Sequence, residues 1–267
     1  MLWDAHMHTR FSGDSEADPV DMIMAAKAKG LAGITFTDHL DLDYPKEPDI
    51  FLLDMEDYYS SHRATGAKYS DESFAILTGI ELGIQPQVVE ELNRIVDTYD
   101  FDEVIGSTHV VDNIDPYYDE FWVDADPVAK YRRYYEVILQ NIKDFPRFDT
   151  LAHLDYIFRY RKESNNPDSY SDYREVVDAI LEEIIRRDIA LEINTGSFRN
   201  GLINPNPNPS IIKRYKELGG KLITLGADAH KPEFVAAHFE EMPALLKECG
   251  FDSFVVYEKR KPVEFAL

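Results

Sequence analysis

Short apolar runs alternate with amphipathic stretches along the whole chain. Leu2 to His8 opens as a strand pattern, and its side chains alternate faces so that Asp4, His6 and His8 project the same way at two-residue steps. Turn-forming residues from Arg10 to Ser15 lead into a helical pattern that puts Val20, Ile23, Met24 and Lys27 on one face and ends at Gly30. Gly33 to His39 reads as the second strand. The acidic stretch from Asp41 to Asp57 carries Pro45 and Pro48, which predicts a long loop before a helix around Met55 to Tyr69. Phe74 to Gly83 is a third strand, apolar except for Glu81 near its end. A helix over Val88 to Tyr99 returns the chain to a fourth strand, Glu103 to His109. Beyond a loop from Asp112 to Asp126, rich in acids and aromatics, Pro127 suits the first turn of a helix with Tyr131, Tyr134, Tyr135, Ile138 and Ile142 on one face. Asp149 to Asp155 is the fifth strand, followed by a basic loop and a helix with Val177, Ile180, Leu181, Ile184 and Ile185 inward. The sixth strand runs from Ile189 to Gly196, a helix from Ser210 to Leu218, and the seventh strand from Leu222 to His230. A helix over Phe234 to Cys249 and a short strand over Phe254 to Tyr257 close the chain.

Strand, loop and helix thus recur seven times, which argues for a parallel sheet covered by helices, either an open doubly wound sheet or a closed barrel. A chain of 267 residues, 44% hydrophobic, can bury a full core as one α/β domain over 1–267. Twenty-eight basic against 50 acidic residues give a net charge of −22, which disfavours nucleic acid or an anionic membrane as partner. No apolar run reaches the roughly 18 residues of a membrane span, and the N-terminus has no signal-peptide pattern. The one cysteine, Cys249, makes no internal disulfide, so a reduced cytoplasm is the expected compartment.

Candidate chemistry decides between the two sheet topologies. Of eight histidines, six (His6, His8, His39, His109, His153 and His230) fall at or near C-terminal ends of predicted strands, as do Glu81, Glu192 and Asp228; only His62 and His238 fall in predicted helices. A closed parallel barrel gathers its C-terminal strand ends at one mouth, so residues spread along the whole chain would converge there. One such histidine is ordinary core chemistry. Six in the same topological position point to a polynuclear metal site. Imidazole and carboxylate without thiolate suit zinc, manganese or iron. Adjacent dications need a bridging carboxylate, for which Glu81 is the best candidate, and they make hydroxide available at neutral pH. Asp4, one step deeper on the first strand, is better placed to orient a ligand histidine than to bind metal.

The set Asp4-Ala-His6-Met-His8-Thr9, Thr37-Asp38-His39, Gly79-Ile-Glu81, Ser107-Thr-His109, Ala152-His153, Asn194-Thr-Gly196 and Gly226-Ala-Asp228-Ala-His230 resembles the PHP family, the polymerase and histidinol phosphatase superfamily. Phe11-Ser-Gly-Asp14-Ser and Thr37-Asp-His-Leu-Asp41 are most similar to its monofunctional histidinol-phosphatase branch. The resemblance implies a distorted (β/α)7 barrel with three divalent metal ions. It assigns His6, His8, Glu81 and Asp228 to one metal, Glu81, His109 and His153 to the second, and Asp14, His39 and His230 to the third, with an aspartate at 14 where many members have histidine. It implies hydrolysis of L-histidinol phosphate by a metal-bridging hydroxide, within histidine biosynthesis. Arg161 and Arg199, with Arg159 interchangeable with Arg161, follow ligand-bearing strands and are expected to clamp the phosphate. Asp41 or Asp43 is expected to receive the substrate ammonium. The alternatives are another phosphoesterase of the family, acting on a nucleotide, sugar phosphate or phosphodiester, and a non-catalytic metal-binding module.

Overall fold

The structure, a computed structural model, describes residues 2–123, 126–160 and 169–267. The apolar runs become β1 (Trp3–Asp4), β2 (Gly33–Phe36), β3 (His39–Leu40), β4 (Ala75–Gly83), β5 (Glu103–Ser107), β6 (Thr150–Leu151), β7 (Ala190–Asn194) and β8 (Ile223–Gly226). They pair in parallel in the order β1-β2-β4-β5-β6-β7-β8, and β3 continues beside β4 where β2 stops. Counting β2 and β3 as one interrupted strand gives seven. The sheet curls shut because the segment after β1, still bonded beyond β2 by Thr37 N donating to Met7 O at 3.0 Å, also runs beside the end of β8. There Ala5 N donates to Leu225 O at 2.9 Å, Asp228 N to His6 O at 2.8 Å and His8 N to Ala229 O at 2.9 Å. The result is the expected α/β, TIM-like barrel.

The helices that follow the strands are α1 (Pro19–Ala28), α2 (Met55–Tyr69), α3 (Val89–Thr98), α4 (Pro127–Asp144), α5 (Ser169–Arg186), α6 (Pro209–Glu217) and α7 (Met242–Glu248). Side chains of Asp18, Asp54, Asp126 and Asn208 cap α1, α2, α4 and α6 by accepting from first-turn amides, and proline opens three of these four. Their inner faces bury Tyr134, Tyr135, Ile138 and Ile142 of α4 and Val177, Ile180, Leu181 and Ile184 of α5 against the sheet. Each such aliphatic burial stabilises by about 1.5–3 kcal/mol. Inside the barrel the residues are polar as well as buried: Glu103, Thr150, Glu192 and Thr224 are all sealed from solvent. Among the described residues no helix is long and apolar enough to cross a membrane.

Three expectations change. On α1 the buried residues are Pro19, Met22, Ile23 and Ala26, while Met24 is 57% exposed, because the Asp18 cap and Pro19 set a helix phase that turns Met24 outward. The helix expected over Phe234 to Cys249 is confined to α7. Pro243 fits only a first turn, and upstream Ala236 and His238 have φ of 48° and 62°, with the Ala236 amide donating to Asp4 Oδ2 at 2.8 Å. His238 therefore lies in a turn. Finally, the chain ends in a hairpin of β9 (Ser253–Glu258) and β10 (Lys261–Ala266), turned at Lys259 and Arg260 with φ of 50° and 63°. Arg260 N donates to Asp102 O at 2.8 Å, and the guanidinium pairs with Asp149, so the hairpin crosses the N-terminal ends of β5 and β6, opposite the mouth.

Candidate metal centre

Short strands stop just before their functional side chains. His109 and His153 stand two residues past β5 and β6, and Asp228 two past β8 with φ of 54°, a left-handed turn that points its carboxylate back over the barrel. Glu81 lies within β4, its backbone paired with His39 on β3. The six strand-end histidines converge there with Glu81, Asp14 and Asp228.

Glu81 is the hub. Its Oε2 lies 3.2 Å from His6 Nε2 and 3.4 Å from His8 Nε2, and its Oε1 lies 3.1 Å from His153 Nε2 and 3.4 Å from His109 Nε2. Asp228 Oδ1 is 3.4 Å from His8 Nε2 and 3.9 Å from His6 Nε2. Asp14 Oδ2 is 3.1 Å from His230 Nε2 and 3.8 Å from His39 Nε2. The ring of His8 is stacked between those of His39 and His230, with centroids 4.1 Å away on each side.

Hydrogen bonds on the far sides of the rings determine what these nitrogens offer. His230 Nδ1 donates to the backbone carbonyl of Asp228 at 2.9 Å, His6 Nδ1 donates to Glu192 Oε1 at 2.6 Å, and His109 Nδ1 donates to Asp41 Oδ1 at 2.7 Å. A neutral imidazole with its proton on Nδ1 carries a lone pair on Nε2. His6 Nε2 and His8 Nε2 face each other at 3.0 Å. Lone pairs this close repel unless a cation lies among them. Buried His39 Nδ1, Asp41 Oδ2, Glu81 Oε2 and His230 Nε2 have no hydrogen-bond partner. His39 Nδ1 and Glu81 Oε2 approach to 2.9 Å without hydrogen-bond geometry. Donor atoms of His6, His8 and Glu81, of Glu81, His109 and His153, and of His8, His39 and His230 lie within 4.8 Å of one another in each group. The donor set fits divalent metal ions. Burial disfavours charge on Glu81, yet the imidazoles of His6 and His39 hold its carboxyl well below the usual carboxylate range. Burial and the neighbouring His230 and His39 push His8 down to about 3, whereas against burial the carboxylates of Glu192, Glu81 and Asp41 push His6, His39 and His109 up.

Other expected residues lie around this core. Asp4 touches no imidazole: its carboxylate accepts from Ala227 N at 2.9 Å and Ala236 N at 2.8 Å, and it contacts only the backbone N of His6, at 3.4 Å. It therefore fastens the loop that carries Asp228 and His230. Burial pushes its carboxyl up to about 6. Arg159 donates to Asp228 Oδ2, Asn194 Oδ1 and Asn206 Oδ1 at 3.0, 3.0 and 3.2 Å, and Arg199 grips the carbonyls of Ala227 and Asp228. Both guanidinium groups line the cavity; Arg161 lies outside the described residues. Neither Asp41 nor Asp43 faces this cavity. Asp41 is buried, with only its Oδ1 engaged by His109, and exposed Asp43 accepts from Gln87 Nε2 at 3.1 Å. Beside Asp14 and Asp228, the carboxylates that line it are Glu47 and Asp115, the latter held by Tyr44 OH at 2.7 Å, Tyr117 N at 2.7 Å and Tyr156 OH at 3.3 Å. The cavity, about 390 Å³, runs from Asp14, His39, His109 and His230 to an outer wall that includes Tyr117 and Tyr118 of the aromatic loop.

Sequence reasoning left Glu192 without a role. Beyond holding His6, it accepts His153 N at 2.7 Å and Asn194 Nδ2 at 3.1 Å. The available signal was one acid within a strand otherwise made of Ala190, Leu191, Ile193 and Asn194.

Comparison with known proteins finds relatives over nearly the whole chain. The family model for the PHP domain matches residues 4–196. A probable histidinol-phosphatase of Clostridium acetobutylicum is 33% identical over 260 residues, covering 97% of this chain and 98% of that protein. A histidinol-phosphatase of Lactococcus lactis is 31% identical over 261 residues, covering 97% and 95%. The crystal structure of histidinol phosphate phosphatase from Lactococcus lactis, complexed with zinc, L-histidinol and phosphate, superposes with a TM-score of 0.87 at 29% identity and covers 98% of each chain.

Proposed function

The chain belongs to the PHP family, and from that premise we propose that it is a metal-dependent phosphatase hydrolysing L-histidinol phosphate to L-histidinol and phosphate. The observation that carries the reading is Glu81, whose two oxygens are divided between the His6/His8 pair and the His109/His153 pair, as a carboxylate shared by adjacent cations must be. On this reading His6, His8, Glu81 and Asp228 would hold one ion and Glu81, His109 and His153 a second, while Asp14, lying near His230 and His39, would hold a third with them. When bound, divalent ions of the zinc, manganese or iron type supply Lewis acidity and water of lowered pKa. The chain's own residues do the rest. Glu192 and Asp41 keep His6 and His109 in the ligating tautomer, Arg159 and Arg199 present N–H groups toward a phosphate in the cavity, and Asp115 accepts a cationic group of the substrate between aromatic walls.

The formal charge of −22 disfavours a nucleic-acid substrate, and the lone buried Cys249 accords with a reducing cytoplasm. We read the described elements as one catalytic unit. The test is phosphate release by zinc- or manganese-loaded protein from L-histidinol phosphate, mononucleotides, sugar phosphates and a phosphodiester. Turnover of L-histidinol phosphate should exceed that of every other ester at least tenfold in kcat/KM. Preference for a nucleotide or diester would move the protein to another phosphoesterase of the family, and no turnover of any ester would make it a binding module.

A further inference from the structure

Helix α2 lines no part of the cavity, yet one of its side chains is connected to the metal centre. His62 is fully buried, with ring centroids of Phe36, Tyr58 and Phe11 at 4.4, 4.8 and 5.1 Å. Its Nδ1 has no partner, and its Nε2 lies 3.1 Å from Asp38 Oδ2. A buried ring nitrogen without a partner costs about 1–3 kcal/mol, so phenylalanine would fill this box more cheaply unless the other nitrogen matters.

Asp38, also fully buried, directly precedes His39. Its Oδ1 accepts from Thr9 N at 2.6 Å, Ser12 N at 3.2 Å and Ser12 Oγ at 2.9 Å, and Thr9 Oγ1 donates to the same carboxylate at 3.1 Å. A serine hydroxyl has one proton, and here Asp38 takes it. Ser12 Oγ is left to accept from His39 N at 3.0 Å and from His8 Nδ1 at 3.0 Å. His8 therefore keeps its proton on Nδ1 and turns a lone pair toward Glu81 and Asp228. A freely rotating hydroxyl could instead donate to Nδ1, and His8 would then present a proton where a cation belongs. Asp38 removes that freedom, and His62 holds Asp38.

We propose that His62 is a positioning residue of the metal centre, acting through Asp38 and Ser12 to fix the tautomer of His8 and the segment from Thr9 to Ser12 that leads to Asp14. It governs the two positions served by His8 and by Asp14 with His39. It does not govern the position of Glu81, His109 and His153, because His109 Nδ1 and His153 N donate to Asp41 and Glu192, outside this chain of contacts.

The inference rests on the metal-centre reading, and wild-type protein keeps the two separable. Zinc per chain is measured after equilibration with graded chelator for wild type, His62→Phe and His62→Gln, with thermal unfolding of the three metal-free proteins alongside. Wild type and His62→Gln, whose amide restores a donor, should retain three zinc ions alike. His62→Phe should lose two of them at about 10- to 100-fold higher free zinc, the range for outer partners of ligand histidines, and keep the third. The metal-free proteins should unfold together. Wild-type affinity in His62→Phe, parallel loss of all three ions with a lowered metal-free Tm, or failure of glutamine to rescue would each overturn the proposal. Wild type that binds no zinc would overturn the metal-centre reading itself. If His62→Phe does not fold, Ser12→Ala cuts the same chain at its other end; the same two-of-three loss is expected, and unaltered retention overturns the proposal.

Discussion

Replacing Glu192 by glutamine changes one atom in a side chain that is 1% exposed, and the hydrogen bonds around it determine the consequence. Glu192 Oε1 accepts from His6 Nδ1 at 2.6 Å, while Oε2 accepts from His153 N at 2.7 Å and Asn194 Nδ2 at 3.1 Å. An amide has one oxygen and one NH2, so it cannot satisfy both sides. With its oxygen toward His6, the NH2 meets two donors and leaves the His153 amide buried and unpaired, at a cost of about 1–3 kcal/mol. With its oxygen toward His153, the NH2 forces His6 to accept at Nδ1, which moves the ring proton onto the nitrogen that faces Glu81. Loss of an outer partner of a ligand histidine typically lowers metal affinity by about 10- to 100-fold, or ~1.4–2.8 kcal/mol, and each orientation removes one, the acceptor of the His153 amide in the first and that of His6 Nδ1 in the second. Glu192→Gln should therefore weaken zinc at the His6 and His153 positions by that factor and leave the Asp14, His39 and His230 position unchanged. Equilibrium dialysis against buffered zinc, read as metal per chain, makes the measurement. Wild-type retention throughout, or loss confined to the Asp14 position, would show that Glu192 does not set the tautomer of His6.

Arg199→Ala should lower kcat/KM for L-histidinol phosphate by roughly 10- to 150-fold, the equivalent of ~1.5–3 kcal/mol for hydrogen bonds to a charged group; an unchanged kcat/KM removes Arg199 from the clamp. Asp115→Asn should raise KM for L-histidinol phosphate about tenfold and leave an alkyl phosphate with no cationic group unaffected, and equal losses on both substrates would sink the assignment of a cation to Asp115. Glu103 tests the polar barrel interior: burial pushes its carboxyl from an ordinary value of 4.5 up to about 8, with only Thr150 Oγ1 donating to it, at 2.6 Å. The folded protein then holds a proton that the unfolded chain releases, so this group's contribution is intact below about pH 4.5 and is lost progressively up to about 8. Glu103→Gln should gain on wild type across that window, by on the order of 5 kcal/mol at its upper end. Urea unfolding at pH 5 and pH 8 that gives a constant difference would contradict a buried, protonated Glu103.

The strands and the clustering of the strand-end histidines were readable because both are local. An apolar run between glycines ends on a histidine, and parallel topology alone then sends His39, His109, His153 and His230 to one mouth. What supports those rings was not readable, because it joins distant residues: 186 positions separate His6 from Glu192 and 68 separate His109 from Asp41. The helix expected from Phe234 failed for the same reason. Its apolar spacing is helical, but Asp4, 232 positions earlier, captures the Ala236 amide and holds the chain in a turn. β10 was missed because Pro262 argues against a strand; proline is tolerated there since β10 is an outer strand paired only with β9 among the described residues.

These long-range contacts also tie the metals to the fold. Segment 5–8, which shuts the barrel beside β8, carries His6 and His8, and the turn it pairs with carries Asp228, so closure brings lone pairs and carboxylates together in a sealed interior. Arg159 offsets part of that charge by donating to Asp228, and burial of the remainder is compensated only by cations. Binding to the folded chain alone stabilises by about 2.7 kcal/mol per position at a hundredfold excess over Kd, or about 8 kcal/mol for three. At about 2–4 °C per kcal/mol for a chain near this size, metal removal should lower Tm by roughly 15–30 °C. The loss should appear as weakened closure, with amide exchange accelerated first at Ala5, His8 and Asp228. Calorimetry giving the same Tm with and without chelator would mean that the barrel closes independently of its metals, and the orphaned acceptors around Glu81 would then need another explanation.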